Sequence, residues 1–254
     1  MKYLKWFPNF LTSMSVFMGT LAIVTAFQSN EYLIYSALFI AIAAIFDFSD
    51  GFAARLFKAS SEIGKELDSL ADMVSFGVAP AIIMFKLIRI SLFGENDNFI
   101  LSQLSANELT MVLSSFVIAI FSALRLAKFN IDTRQTSSFI GMPTPAGAIS
   151  IISLVIVYHY FRDSFIYQNI TSSIYFLLIY TFTVSLLLVS ELPMFSLKAK
   201  SLKFRENYIR IIFLGSLAIL FIIFKGLAIV FFMPLYIFMS IIENLLKKNT
   251  HKID

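Results

Sequence analysis

The stretch YLIYSALFIAIAAIFDFSDGFAARLFKASSEIGKELDSLADMVSFGVAPAIIMFKLI, residues 32–88, decides the fold. Two apolar runs, 32–49 and 68–88, flank a short segment crowded with Asp47, Asp50, Arg55, Lys58, Glu62, Lys65, Glu66, Asp68 and Asp72. Each run approaches the roughly 20 residues that a helix needs to cross a bilayer core. Charges beside lipid are costly, so a cluster of them where two spans meet marks a site rather than an ordinary loop.

Working outward, the rest of the chain repeats the apolar pattern. Of 254 residues, 58% are hydrophobic and 14% charged, and the mean hydropathy is +0.82. A soluble domain is about 45–50% apolar and about 25% charged. Windows of about 20 apolar residues place eight spans, near 9–28, 32–49, 68–88, 109–127, 144–161, 173–195, 209–224 and 226–245. Backbone groups in lipid must be satisfied within their own segment, and these runs have helical length, so the fold expected is an all-α polytopic membrane bundle. The last two runs meet at Lys225 and Gly226. They read as two spans, because about 37 residues at about 1.5 Å each is nearly twice a bilayer core. The first run follows Lys2 and Lys5 but has no small-x-small cleavage site, so it reads as a retained span. No repeat, low-complexity tract or soluble domain stands out, and 94–108 is merely polar.

Charge orients the bundle. With the N-terminus inside and segments alternating, the inner segments hold 16 Lys and Arg and the outer ones 4. That asymmetry puts both termini and the acidic segment in the cytoplasm; the cell's inner membrane is the expected location. The absence of cysteine excludes a disulfide framework, a thiolate nucleophile and a zinc-thiolate site. No feature suggests nucleic acid as a partner.

Asp47 and Asp50 are three apart and Asp68 and Asp72 four apart, so each pair shares a helix face. On antiparallel helices, Asp47 lies about 4.5 Å deeper than Asp50, and Asp72 about 6 Å deeper than Asp68. A deep and a shallow pair can thus face each other around one small volume. Two such charges at about 4 Å repel by about 4 kcal/mol at an effective dielectric near 20, so protons or cations must intervene. An all-oxygen site suits magnesium, manganese or calcium, and two such ions can grip a diphosphate. Gly51 and Gly64 remove side-chain bulk beside the acids, and Arg55 and Lys65 add positive charge. Two other readings compete. A single Asp pair at a helix end is ordinarily a solvated cap, which four acids on adjoining spans argue against. A cation-coupled transporter also buries Asp, but here the acids sit at the boundary and the later spans carry almost no ionisable group at mid-depth. His159 and His251 read as incidental.

Asp47-x-x-Asp50-Gly51-x-x-Ala54-Arg55, then eight residues and Gly64-x-x-x-Asp68-x-x-x-Asp72, resembles the signature of the CDP-alcohol phosphatidyltransferase family. PNFLTSMSVFMG (8–19), GKELDSLADMVSFGVAPA (64–81), ALRLAKFN (123–130), FIGMPTPA (139–146) and PMFSLK (193–198) are similar to its bacterial and archaeal membrane-bound phosphatidylserine synthase branch. The likeness runs to about residue 198, which suggests a family domain over 1–198. The segment 199–254 would add a basic loop, two further spans beyond the six-helix family core, and a short tail.

The resemblance implies transfer of a phosphatidyl group from CDP-diacylglycerol to L-serine, with release of CMP by direct displacement. Asp47, Asp50, Asp68 and Asp72 would hold magnesium or manganese, two ions per site, with Asp72 also the general base. Asn9, Thr12, Gly51, Arg55, Ser61 and Gly64 would contact CDP-diacylglycerol. Arg125, Lys128, Asn130, Arg134 and Thr144 would meet the acceptor, and a homodimer is implied. Ser15 and Lys128 depart from the branch, which commonly has Asn and Arg there. Glycerol 3-phosphate and inositol phosphate are the alternative acceptors; each adds about two negative charges, whereas serine is a zwitterion.

Overall fold

The computed structural model describes residues 6–95, 101–132, 139–194 and 204–250. The basic residues Lys2, Lys5, Lys198, Lys200, Lys203 and Lys252, with His251 and most of PMFSLK, lie outside them. Among the described residues the chain forms α1 (Phe7–Ala26), α2 (Leu33–Leu56), α3 (Glu62–Asp72), α4 (Ala79–Phe93), α5 (Ala106–Leu113), α6 (Val117–Ile131), α7 (Thr144–Tyr160), α8 (Ile174–Val189), α9 (Phe204–Phe224) and α10 (Phe232–Thr250). Five helical runs are long and apolar enough to cross a membrane: Phe7–Ala26, Asn30–Leu56, Glu62–Phe93, Ala106–Ile131 and Asn207–Leu246. Two shorter apolar helices, Thr144–Tyr160 and Ile174–Val189, complete an all-α, multi-pass bundle.

The last run is folded back on itself. Lys225 takes φ +53°, and a tight 3-10 stretch, Lys225–Phe231, turns the chain. Phe213 of α9 meets Phe232 and Tyr236 at ring separations of 5.7 and 6.0 Å. Gly226 abuts the Phe161 ring beyond the end of α7, while Asn244 Nδ2 donates to the Pro193 carbonyl at 2.7 Å near the bundle's other end. The run is thus two segments lying back to back, which makes eight among the described residues.

Lipid-facing and core surfaces are sorted by size rather than by polarity. Ile222 is 79% exposed, Tyr175 73% and Ile45 65%, values suited to an apolar solvent. Ser36, Ser75, Ser153, Thr181 and Ser185 are fully buried, because small hydroxylated residues let helices approach and return their hydroxyls to backbone carbonyls. Ser36 Oγ donates to the Ala22 carbonyl at 2.5 Å, Ser15 Oγ to Ala43 at 3.1 Å, and Ser75 Oγ to Ser15 at 2.9 Å. Ser15, the first departure from the branch, thus ties α1 to α2.

Several boundaries differ from the sequence reading, and three of them bear on the site. α2 continues to Leu56, past the expected 49, so Asp47, Asp50, Gly51 and Arg55 are all helical. The next helix starts at Glu62, not 68, because Ser61 caps it by accepting from the Gly64 N–H at 3.0 Å. α8 stops at Val189, not 195, where Pro193–Met194 (β2) instead forms a two-residue antiparallel bridge with Phe139–Ile140 (β1). Directly after Asp72 the helix widens into a π-helical turn, Met73–Val78. A side chain at Gly77 would press on Ser122 Cβ of α6 at 3.0 Å, and one at Gly19 would strike Ser75 Cα at 2.7 Å. The π turn is therefore packed closely on both α1 and α6, with Asp72 at its edge.

One end of the bundle carries the acids. The other is tied by Lys86 to the Gln28 carbonyl, by Arg89 to Asn30 Oδ1 at 3.0 Å, and by an ion pair of Arg162 with Glu95. His159 lies at this far end, stacked edge-on against Tyr160.

Candidate active site

α2 and α3 converge so that carboxylate oxygens of Asp47, Asp50 and Asp68 all lie within 4.8 Å of one another. Asp72, one turn beyond Asp68, faces Asp47 as well. The deep pair and the shallow pair of acids thus meet across the two helices. At 4.8 Å and an effective dielectric of about 20, each ionised pair costs about 3.5 kcal/mol.

Neighbouring hydroxyls hold two of these acids in place. Thr12 Oγ1 of α1 lies 2.6 Å from Asp50 Oδ2, and Asp50 is buried. Thr144 Oγ1, at the start of α7, donates to Asp72 Oδ2 at 3.2 Å. Asp72 Oδ1 is buried and has no hydrogen-bond partner. A buried carboxylate oxygen left without a donor, beside three more carboxylates, is a donor set suited to a hard divalent cation. The residues present therefore fit such an ion: Asp47, Asp50 and Asp68 would hold it, with Asp72 next to Asp47.

A cavity of about 230 Å³ opens on the α1 side of the acids. Its walls include Asn9, Thr12, Gly51, Ser61 and Gly64, five of the six residues expected on the nucleotide side, together with Asp50, Asp68 and Lys65. A Cβ at Gly64 would sit 3.0 Å from Asn9 Oδ1 and 3.1 Å from Ser61 Oγ, whereas one at Gly51 would meet nothing within 4 Å. Gly64 thus allows α3 to approach α1, while Gly51 leaves open space over the acids. Arg55 is exposed one turn further along α2 and does not line this cavity.

A second cavity, of about 280 Å³, lies between the ends of α6 and α8. Arg125 and Lys128 line it, as do Asp132 and Glu191. Arg125 is buried, its guanidinium lies 4.7 Å over the Phe129 ring, and it interacts electrostatically with Asp72 and with Tyr236 of α10. Gly141, at φ +76°, holds the wall: a Cβ there would lie 2.6 Å from the Leu188 carbonyl, and its N–H donates to the Leu192 carbonyl at 2.9 Å.

The five expected acceptor residues are dispersed. Arg125 and Lys128 share the second cavity, while Thr144 touches Asp72 instead. Asn130 faces α3, where Nδ2 donates to Ser69 Oγ at 3.0 Å. Arg134 lies outside the described residues. Asp132 and Glu191 were not singled out from the sequence: Asp132 lies just past the predicted span 109–127 and reads as a solvated end, while Glu191 falls inside the predicted span 173–195, which the helix does not fill.

A family model for CDP-alcohol phosphatidyltransferase matches residues 5–185. The chain is 37% identical over 164 residues to a Helicobacter pylori protein named CDP-diacylglycerol–serine O-phosphatidyltransferase, covering 62% of each chain. A Bacillus subtilis protein of the same name is 34% identical over 157 residues, 61% of this chain and 78% of that one. A Mycobacterium bovis protein of that name is 34% identical over 205 residues, 78% of this chain and 64% of that one. The chain thus spans a little over three fifths of the Helicobacter and Mycobacterium relatives.

Proposed function

The chain belongs to the CDP-alcohol phosphatidyltransferase family, and we propose that it transfers the phosphatidyl group of CDP-diacylglycerol to L-serine and releases CMP. The observation that carries this reading is the cluster of Asp47, Asp50 and Asp68, within 4.8 Å, opening directly on a cavity lined by Asn9, Thr12, Gly51, Ser61 and Gly64. The names of the relatives supply the acceptor.

In this reading the first cavity seats the CDP moiety, with Arg55 contributing positive charge at the water boundary rather than from the wall. Two divalent ions, magnesium or manganese, held by the four Asp would neutralise the diphosphate and stabilise the leaving oxygen. Thr144 donates to Asp72 Oδ2, while the Asp72 carboxyl also adjoins that of Asp47. Asp72 takes the proton of the serine hydroxyl as that oxygen attacks the lipid-side phosphorus. Arg125 and Lys128 orient the serine carboxylate, and Arg134 belongs to the same proposed set. Positioning and electrostatics supply most of the acceleration.

The acid-bearing end faces the cytoplasm of the inner membrane in this reading, which the excess of basic residues on that side supports. Residues 1–198 form the catalytic unit, with 199–254 an added hairpin and tail, and two copies pair as a homodimer. The test is direct. The purified chain with CDP-diacylglycerol and magnesium or manganese should release CMP and form phosphatidylserine when L-serine is added. Glycerol 3-phosphate and inositol phosphate should yield almost none. CMP released with glycerol 3-phosphate but not with serine would overturn the acceptor and keep the family.

A further inference from the structure

The second cavity has an ordered polarity. Arg125 is the buried charged residue of its lining and interacts electrostatically with Asp72, so Arg125 links the cavity to the four clustered acids, none of which lines it. Lys128 and Asp132 follow on the same face of α6, at three and seven residues' spacing, with the Asp132 N–H closing the helix on the Lys128 carbonyl at 3.0 Å. Glu191 stands on the opposite wall, two residues beyond the end of α8 and next to Leu192, whose carbonyl accepts from Gly141.

Both acids sit where an acid is unfavourable. The C-terminal end of a helix carries about half a negative charge, so a carboxylate placed there repels the last carbonyls. Here two helices, α6 and α8, each end beside a carboxylate, and both carboxylates line one cavity. Lys128 offsets one of the two carboxylates, but the second carboxylate and the two helix ends leave the mouth attractive to a cation, while Arg125 makes the buried end attractive to an anion. A ligand bearing both charges would satisfy the two ends together. The cavity, about 280 Å³, has room for one small amino acid with some of its water.

We propose that this cavity reads the ammonium group of the acceptor, with Asp132 and Glu191 as the carboxylates that determine specificity. It admits zwitterionic amino alcohols and repels polyol phosphates, whose net charge is negative. The proposal rests on the serine reading above and names the part of the site that enforces it. With the carboxylate directed to Arg125 and the hydroxyl to Asp72, the ammonium is the group left facing the mouth.

The experiment compares L-serine with 3-hydroxypropionate, the same hydroxy acid without the ammonium group. It uses the full-length wild type, Asp132→Asn, Glu191→Gln, their double variant, and the charge-retaining Asp132→Glu and Glu191→Asp. Each neutralised variant should raise KM for serine by about tenfold, the scale of one lost charge-assisted contact. KM for CDP-diacylglycerol should stay within about twofold of wild type on the same reasoning, since the nucleotide cavity is untouched. The double variant should lose most of the preference for serine over 3-hydroxypropionate, and the charge-retaining variants should keep it. An unchanged preference in the double variant, or an equal loss in the charge-retaining ones, would overturn the subsite while leaving the activity standing. A wild type that releases no CMP with serine would instead remove the reading beneath it.

Discussion

Asp47→Asn removes one carboxylate from the middle of the cluster, and it should raise stability while it destroys activity. Oxygens of Asp47 lie within 4.8 Å of those of Asp50 and Asp68, and Asp72 is its other acidic neighbour. Each ionised pair at that separation costs about 3.5 kcal/mol at an effective dielectric near 20. The cost per carboxylate is capped near 4 kcal/mol at pH 7, because protonating an ordinary carboxylic acid there takes about 1.4 kcal/mol for each of roughly three pH units. Without divalent ions the variant should therefore be about 2–4 kcal/mol more stable than wild type, or about 4–16 °C in Tm for a chain of this size. Thermal unfolding in detergent with excess EDTA measures this. Adding magnesium or manganese should then raise the wild-type Tm and barely move that of the variant, since ligand binding stabilises only where the site is intact. Turnover should fall by about a thousandfold, the scale of several kcal/mol of lost charge stabilisation. A variant that melts below wild type in EDTA would refute the account, because the four acids would then be held by contacts other than a missing cation.

Asp72→Asn should lower turnover by about 10²–10⁴-fold while leaving CDP-diacylglycerol binding measurable, because a general base acts in the chemical step; near wild-type turnover would remove the base assignment. Thr144→Val deletes the 3.2 Å hydrogen bond to Asp72 and should reduce kcat about tenfold with KM for CDP-diacylglycerol unchanged, as steady-state kinetics would show. Gly141→Ala places a Cβ 2.6 Å from the Leu188 carbonyl at φ +76°; a loss of about 1–3 kcal/mol in thermal unfolding, with a raised KM for the acceptor, is expected. Ser61→Cys should react with an impermeant thiol reagent only after the cytoplasmic face is opened, and Ser29→Cys from outside, in a chain with no cysteine of its own. Reversed labelling would invert the orientation.

The parts legible in the sequence were those set by local spacing. Asp47 and Asp50 at three residues, and Asp68 and Asp72 at four, fixed which acids share a face, and helix length fixed that two faces meet. What spacing does not encode is contact between distant segments. Thr144 was placed in the acceptor set by its position in FIGMPTPA, yet its hydroxyl lies against Asp72, 72 residues away in sequence. Asn130 looked equally suited to a ligand, but α3 packs on α6 and takes its amide for Ser69. The ends of the spans were misread for a different reason. Hydropathy stops where charges begin, whereas the helix of α2 continues through Asp47, Asp50 and Arg55 to Leu56, because nothing in that segment breaks it before Lys58 turns left-handed at φ +49°. The π-helical turn after Asp72 has no hydropathy signature at all; it follows from how closely Gly19 and Gly77 bring α1 and α6 to that segment.

The arrangement of the two cavities bears on the chemistry itself. One is walled by α1, α2 and α3 and touches Asp50 and Asp68; the other is walled by α6 and α8 and reaches Asp72 through Arg125. Asp47 stands between, next to all three other acids. A displacement at phosphorus in which the acceptor arrives on the face opposite the departing CMP needs two separate approaches to one centre, and the acids lie where two such approaches meet. A route through a covalent enzyme intermediate needs a nucleophile at that centre. The chain contains no cysteine, and His159 lies at the far end of the bundle beside Tyr160. Asp72 itself is held by Thr144 on one oxygen, and in the proposed reading its other oxygen would serve as base and metal ligand. On the proposed reading, the same crowding of carboxylates would serve direct displacement: divalent ions held there would attract the diphosphate, and Asp72 would stand beside the incoming hydroxyl.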